Sequence, residues 1–141
     1  MWYAILGAVL LAGDQILKYW VVTHLAVGES APFLPGFMQL TRLHNYGAAW
    51  SSLSGRTVLL VVFTAVLLAA VALLLIKKVV RHWTGITACT LILSGGIGNI
   101  IDRIVHGYVV DMFDLQLFSY PVFNLADCCV VVGAILGGIY Y

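Results

Sequence analysis

Between Val58 and Ile76 the chain carries no ionisable side chain. At 1.5 Å per residue the run is about as long as a bilayer core is thick, a length that takes ~20 residues, so it reads as a membrane span facing lipid. The rest of the chain agrees: of 141 residues, 62% are hydrophobic and 9% charged, and mean hydropathy is +1.04. A soluble domain of this size has too little interior to hide so much apolar surface. Three further apolar stretches read as spans, giving approximate spans 2–22, 58–76, 84–103 and 125–141. The expectation is an all-α polytopic membrane protein, a single membrane domain over 1–141 with four transmembrane helices.

The charges orient it. Lys77, Lys78 and Arg81 crowd the connection 77–83, which marks that loop as cytoplasmic. Both termini are then cytoplasmic, and loops 23–56 and 104–124 are extracytoplasmic. No Lys or Arg precedes the first apolar run and no small-residue cleavage pattern closes it, so it reads as a retained anchor. In the first long loop Gly28, Pro32, Pro35 and Gly36 are followed by Met38-Gln39-Leu40-Thr41. This alternation predicts a small extracytoplasmic β element on the membrane surface.

Several chemistries are disfavoured. The seven Lys and Arg are scattered, so nothing resembles a nucleic-acid patch. Cys89, Cys128 and Cys129 sit in apolar runs and read as small buried hydrophobes. The four histidines stand singly near segment ends, without HExxH spacing, and neither metal nor cofactor is implied. Gly96-x-Gly98 follows no strand and lacks the third glycine of a nucleotide loop.

The acids are few and placed where they are costly. An ionisable group in mid-membrane costs roughly 2.5–3.5 kcal/mol on insertion scales, so it needs a partner or a purpose. Asp14 and Lys18 are spaced i, i+4 on one helix face. They read either as a structural ion pair, with Lys18 reaching toward the nearer surface, or as support for a site. Gly95, Asn99 and Asp102 share a face of the third span. Asp102-Arg103 reads as an interfacial pair, or Arg103 as a fork for a peptide carbonyl. Asn45 to Trp50 offers an amide, a permissive Gly47 and an aromatic, which alone could be an ordinary turn. Asp111 and Asp127 end at the same outer level. Two carboxylates meeting there cannot both ionise cheaply, and such a pair can deprotonate a water and protonate a leaving group. No Ser-His-Asp grouping, GxSxG or Cys-His pair competes for hydrolysis. Spacing alone does not bring Asp111 and Asp127 together. A proton-coupled transporter or channel subunit, with Asp14, Asp102 and Asp127 as a relay, is the alternative.

Five segments then act together: Asp14 to Lys18, Asn45 to Trp50, Gly95 to Arg103, Val109 to Asp111 and Phe123 to Asp127. In order and content they resemble the five sequence blocks of the bacterial lipoprotein signal peptidases, also called signal peptidase II. The resemblance implies an aspartic endopeptidase of the bacterial inner (cytoplasmic) membrane, with its active site at the outer leaflet. It would remove signal peptides from diacylglyceryl-modified prolipoproteins, cutting before the lipid-modified cysteine. Its partners would be that substrate and membrane lipids, with no obligate protein partner. Asp111 and Asp127 would be catalytic, Asn45 and Arg103 would hold substrate backbone, and Asn99, Asp102, Asn124 and Ala126 would shape the pocket. Asp14, Lys18 and Gly47 would be supporting. Trp50 and Met112 stand where Phe is common in the family. Asp114 matches nothing in the pattern and reads as a solvated loop residue. Segment 104–120, flanked by Gly107, is a candidate lid over the pair.

Overall fold

The computed structural model of the protein describes residues 1–48 and 52–141; Trp50 lies outside the described residues. Four helices and a small sheet follow in the order α1 (Trp2–His24), β1 (Ser30–Leu34), β2 (Met38–Asn45), α2 (Thr57–Ile76), α3 (Trp83–His106), β3 (Val109–Leu115) and α4 (Leu125–Tyr140). Three of the helices, α1, α2 and α3, are long and apolar enough to cross a membrane. The fourth, α4, has 16 residues, about 24 Å at a helical rise of 1.5 Å per residue. The protein is thus mostly helical, with membrane-type helices and a minor β component.

The organising element is α3, which packs against each of the other helices. Its glycines allow this. A Cβ on Gly95 would overlap Ala126 of α4, one on Gly96 would lie 2.6 Å from Leu68 of α2, and one on Gly98 would lie 2.7 Å from Asp14 of α1. Three glycines within four positions therefore bring three different helices to one central helix at backbone distance. Gly107 ends α3 in the left-handed region, with φ 80° and its N–H bonded to the Arg103 carbonyl. That reversal turns the chain at once into β3.

The β element is larger than the sequence pattern foretells. β1 and β2 form a hairpin, and β3 from the segment between α3 and α4 pairs antiparallel with β2. Val110 and Met112 of β3 pack with Val21 and Leu25 at the end of α1 in one buried cluster. Because neighbouring strand residues point to opposite faces, the same packing turns Asp111 the other way. The lid expected at 104–120 is therefore corrected. Its middle is a paired strand in which Val109, Val110, Asp111 and Met112 are all buried.

Two charged residues also depart from expectation. Asp114 is no solvated loop residue: its Oδ2 accepts from Gln39 Nε2 and Thr41 Oγ1, both at 2.9 Å, and so pins β3 to β2. Lys18 does not reach for the surface, because it is 3% exposed and finds two carboxylates inside the bundle.

Candidate active site

The site is assembled by α4's N-terminus, β3, the end of β2 and the C-terminal part of α3. Asn124 precedes α4 and caps it: its Oδ1 accepts from Asp127 N–H at 2.8 Å, while Asp127 Oδ2 accepts from Asn124 N–H at 3.1 Å. This reciprocal capping box satisfies two amides that a helix start leaves without partners. It also fixes the rotamer of Asp127. The other end of the same Asn124 side chain reaches across, its Nδ2 donating to Asp111 Oδ1 at 2.8 Å. One fully buried carboxamide thus holds both aspartates.

Each aspartate has a second amide donor. Asn45 Nδ2, at the end of β2, donates to Asp111 Oδ2 at 3.2 Å. Asn99 Nδ2, on α3, donates to Asp127 Oδ1 at 2.9 Å. Asn99 Oδ1 in turn accepts from Lys18 Nζ and Asn124 Nδ2, both at 3.1 Å, which settles which way its amide faces. Behind this layer Lys18 Nζ bridges Asp14 Oδ2 at 2.8 Å and Asp102 Oδ2 at 3.1 Å.

Among the described residues Arg103 makes no ion pair with Asp102, whose carboxylate is taken by Lys18. Arg103 Nη2 donates to the Gly47 carbonyl at 3.1 Å, and Gly47 N–H donates to Asn45 Oδ1 at 2.9 Å. The Asn45 side chain therefore links the turn at Gly47 to Asp111. Ala126, 1% exposed, enters through its backbone, whose N–H donates to Asp14 Oδ1 at 2.9 Å. The structure thus joins Asp111 and Asp127 with the substrate-holding and supporting residues named from the resemblance in one polar network. It adds Gln15, whose Nε2 donates to Asp14 Oδ2, Asp102 Oδ1 and the Gly98 carbonyl at 3.2–3.3 Å. Gln15 stands inside the first recognised segment, and its polarity amid an apolar run was the available signal.

The electrostatics favour a shared proton. Burial, and then the neighbouring Asp127, push the Asp111 carboxyl up to about 7, against the pull of the Asn45 and Asn124 amides and the Lys18 charge. The folded chain consequently holds a proton between the ordinary carboxylate range and about pH 7 that the unfolded chain releases. Stability from this group is present at acid pH and lost as pH rises through that window. If the pair works with one proton, turnover should decline as pH climbs past about 7. A pH–rate profile of the purified protein checks this, and a rate unchanged across the alkaline side would contradict it.

Comparison with known proteins follows the same lines. The signal peptidase (SPase) II family matches residues 6–141. The chain is similar to the lipoprotein signal peptidase of Enterococcus faecalis, 41% identical over 138 residues, covering 98% of this chain and 86% of that protein. The lipoprotein signal peptidase of Lactiplantibacillus plantarum is 40% identical over 136 residues, covering 96% and 91%. A solved structure described as a bacterial membrane enzyme, at 2.3 Å, superposes with a TM-score of 0.94 at 32% identity, covering 98% of this chain and 85% of that one.

Proposed function

The chain belongs to the signal peptidase II family and removes signal peptides from prolipoproteins, and from that premise we propose that it does so as an aspartic endopeptidase, with Asp111 and Asp127 as the acting pair. The observation that carries this reading is Asn124, whose buried side chain donates to the Asp111 carboxylate and accepts from the Asp127 backbone N–H, while its own N–H donates to the Asp127 carboxylate. A water held between them would lose a proton to the ionised carboxylate as its oxygen attacks the scissile carbonyl. The protonated partner would then deliver its proton to the departing amine as the C–N bond breaks. Coupled groups titrate as a pair, so the resting proton belongs to both.

Substrate is held by the chain around the pair. Arg103 offers a planar fork of donors, and the Gly47 carbonyl it now holds occupies the position a substrate carbonyl would take. Asn45 and Gly47 line the same turn. The substrate is a prolipoprotein whose cysteine already bears a diacylglyceryl group, and the cut falls before that cysteine. Such a substrate is itself anchored in lipid, so a site at the edge of the bilayer meets it without extracting it.

The same reading sets the protein in the bacterial inner membrane as one domain with four spans. α4 accompanies α3 and completes the bundle, its short length fitting a start below the outer surface. Lys77, Lys78 and Arg81 lie on the cytoplasmic side, with both termini, while the sheet and the pair lie at the outer leaflet.

The test is to add purified protein in detergent to a diacylglyceryl-modified prolipoprotein and identify the new N-terminus. In parallel, proteoliposomes carrying the protein are assayed for proton flux. Cleavage immediately before the modified cysteine, with no flux, is expected. Flux without cleavage would favour a proton-coupled transporter instead.

A further inference from the structure

Two buried carboxylates behind the pair, Asp14 and Asp102, share one ammonium, that of Lys18. Two acids on one base present more acceptor oxygens than Lys18 alone fills, and buried ion pairs are in any case weak sources of stability. The surplus is taken up by backbone. Asp14 Oδ1 accepts from Ala126 N–H at 2.9 Å, and Asp102 Oδ2 accepts from Val110 N–H at 3.0 Å. Ala126 is the residue immediately before Asp127, and Val110 is the residue immediately before Asp111. Lys18 also donates to Asn99 Oδ1 at 3.1 Å, and Asn99 is itself a donor to Asp127.

We propose that Asp14 and Asp102, tied together through Lys18, are positioning residues that set the separation of Asp127 and Asp111, each by gripping the amide one residue upstream of its aspartate. This rests on the assignment of Asp111 and Asp127 as the acting pair. One arm runs from α1 to the start of α4, the other from α3 to β3. Lys18 is the cross-piece that keeps the arms at a fixed spacing.

The two arms differ in what they tolerate. Both oxygens of Asp14 are taken by donors: Oδ1 by Ala126 N–H, and Oδ2 by Lys18 Nζ and Gln15 Nε2. An asparagine there must aim its own NH2 at one of them. In Asp102 the Val110 and Lys18 donors share Oδ2, while among the described residues Oδ1 receives only Gln15 Nε2, at 3.3 Å. Gln15 is half-buried, at the edge of the group, and its amide can turn aside. Asp102→Asn therefore keeps both Val110 and Lys18, whereas Asp14→Asn must give up either the grip on Ala126 or the Lys18 cross-piece.

The experiment compares Asp14→Asn, Asp14→Ala, Asp102→Asn and Asp102→Ala for kcat, KM, thermal unfolding and amide exchange at Val110 and Ala126. The substrate is a diacylglyceryl-modified prolipoprotein, and Asp111→Asn and Asp127→Asn are run beside them. A misplacement of about 1 Å costs ~10²-fold in rate, so Asp14→Asn and both alanine variants should lose kcat on that scale with KM little changed. Asp102→Asn should stay within about tenfold of the parent, the loss expected for 1.4 kcal/mol. Amide exchange should quicken at Val110 in Asp102→Ala and at Ala126 in Asp14→Ala. The proposal is overturned if folded alanine variants cut at the parental rate, or if Asp102→Asn falls as far as Asp102→Ala while Val110 stays protected. If the alanine variants do not fold, the contrast between the two asparagine variants decides. Cleavage by Asp111→Asn or Asp127→Asn would instead remove the acting pair, a failure separable from that of the brace.

Discussion

Asp111→Asn and Asp127→Asn are each expected to abolish cleavage, with kcat lowered by ~10³-fold or more, while the substrate still binds. General acid–base groups contribute typically ~10²–10⁴-fold each, and here each carboxyl would serve in both directions. Asparagine keeps the outline of the side chain and one oxygen, for Asn124 Nδ2 in Asp111→Asn or for Asn99 Nδ2 in Asp127→Asn, while its NH2 replaces the acceptor of a second donor, Asn45 Nδ2 or Asn124 N–H. Stability is expected to hold in Asp111→Asn, because Asp111 is 4% exposed and relief of a charge held against burial and a neighbouring carboxylate offsets the lost bond. Removing a group kept at such a cost commonly stabilises a protein. The check is single-turnover cleavage together with thermal unfolding in the same detergent. A variant cutting at the parental rate would show that its aspartate takes no part in the chemistry.

The parts of this arrangement legible in the sequence were those with a local signature. The bare run at 58–76 announces α2 by composition, and Asn124 three residues ahead of Asp127 announces a helix start. Gly95, Asn99 and Asp102 fall on one face by helical periodicity, and the structure uses that face for Ala126, Asp127 and Lys18 respectively. What was not legible depended on distant pairing. β3 is a short strand whose partner, β2, lies far upstream, and nothing within Val109–Leu115 distinguishes a paired strand from a mobile connection. Asp114 misled for the same reason, since Gln39 and Thr41 reach it only once that pairing exists. Lys18 was read from its own helix, where the nearer surface offers solvation. Its second carboxylate, Asp102, comes from α3 and makes burial the better solution. Family resemblance named Asp111 and Asp127, but the geometry that links them through Asn124 is tertiary.

Gly95→Ala is expected to impair both fold and activity far beyond the size of a methyl group. A Cβ at Gly95 would overlap the Ala126 carbonyl oxygen and lie 2.9 Å from Val130 Cγ2 and 3.1 Å from Cys129 Cβ. The first of these is backbone in the opening turn of α4, so it cannot swing aside as a side chain would. The helix itself must move away from α3, and it carries Asp127 with it. Asn99 would then lose its reach to Asp127 Oδ1, now 2.9 Å away, and Asp14 its hold on Ala126. Overpacking of this kind costs about 1–3 kcal/mol, and a displacement of about 1 Å at the pair lowers kcat by ~10²-fold. Gly138→Ala supplies the control, since nothing lies within 4 Å of a Cβ there and alanine is the better helix former. Unfolding temperature and kcat should fall together in the first variant and hold in the second. Parental kcat in Gly95→Ala would mean that the separation of α3 and α4 does not set the position of Asp127.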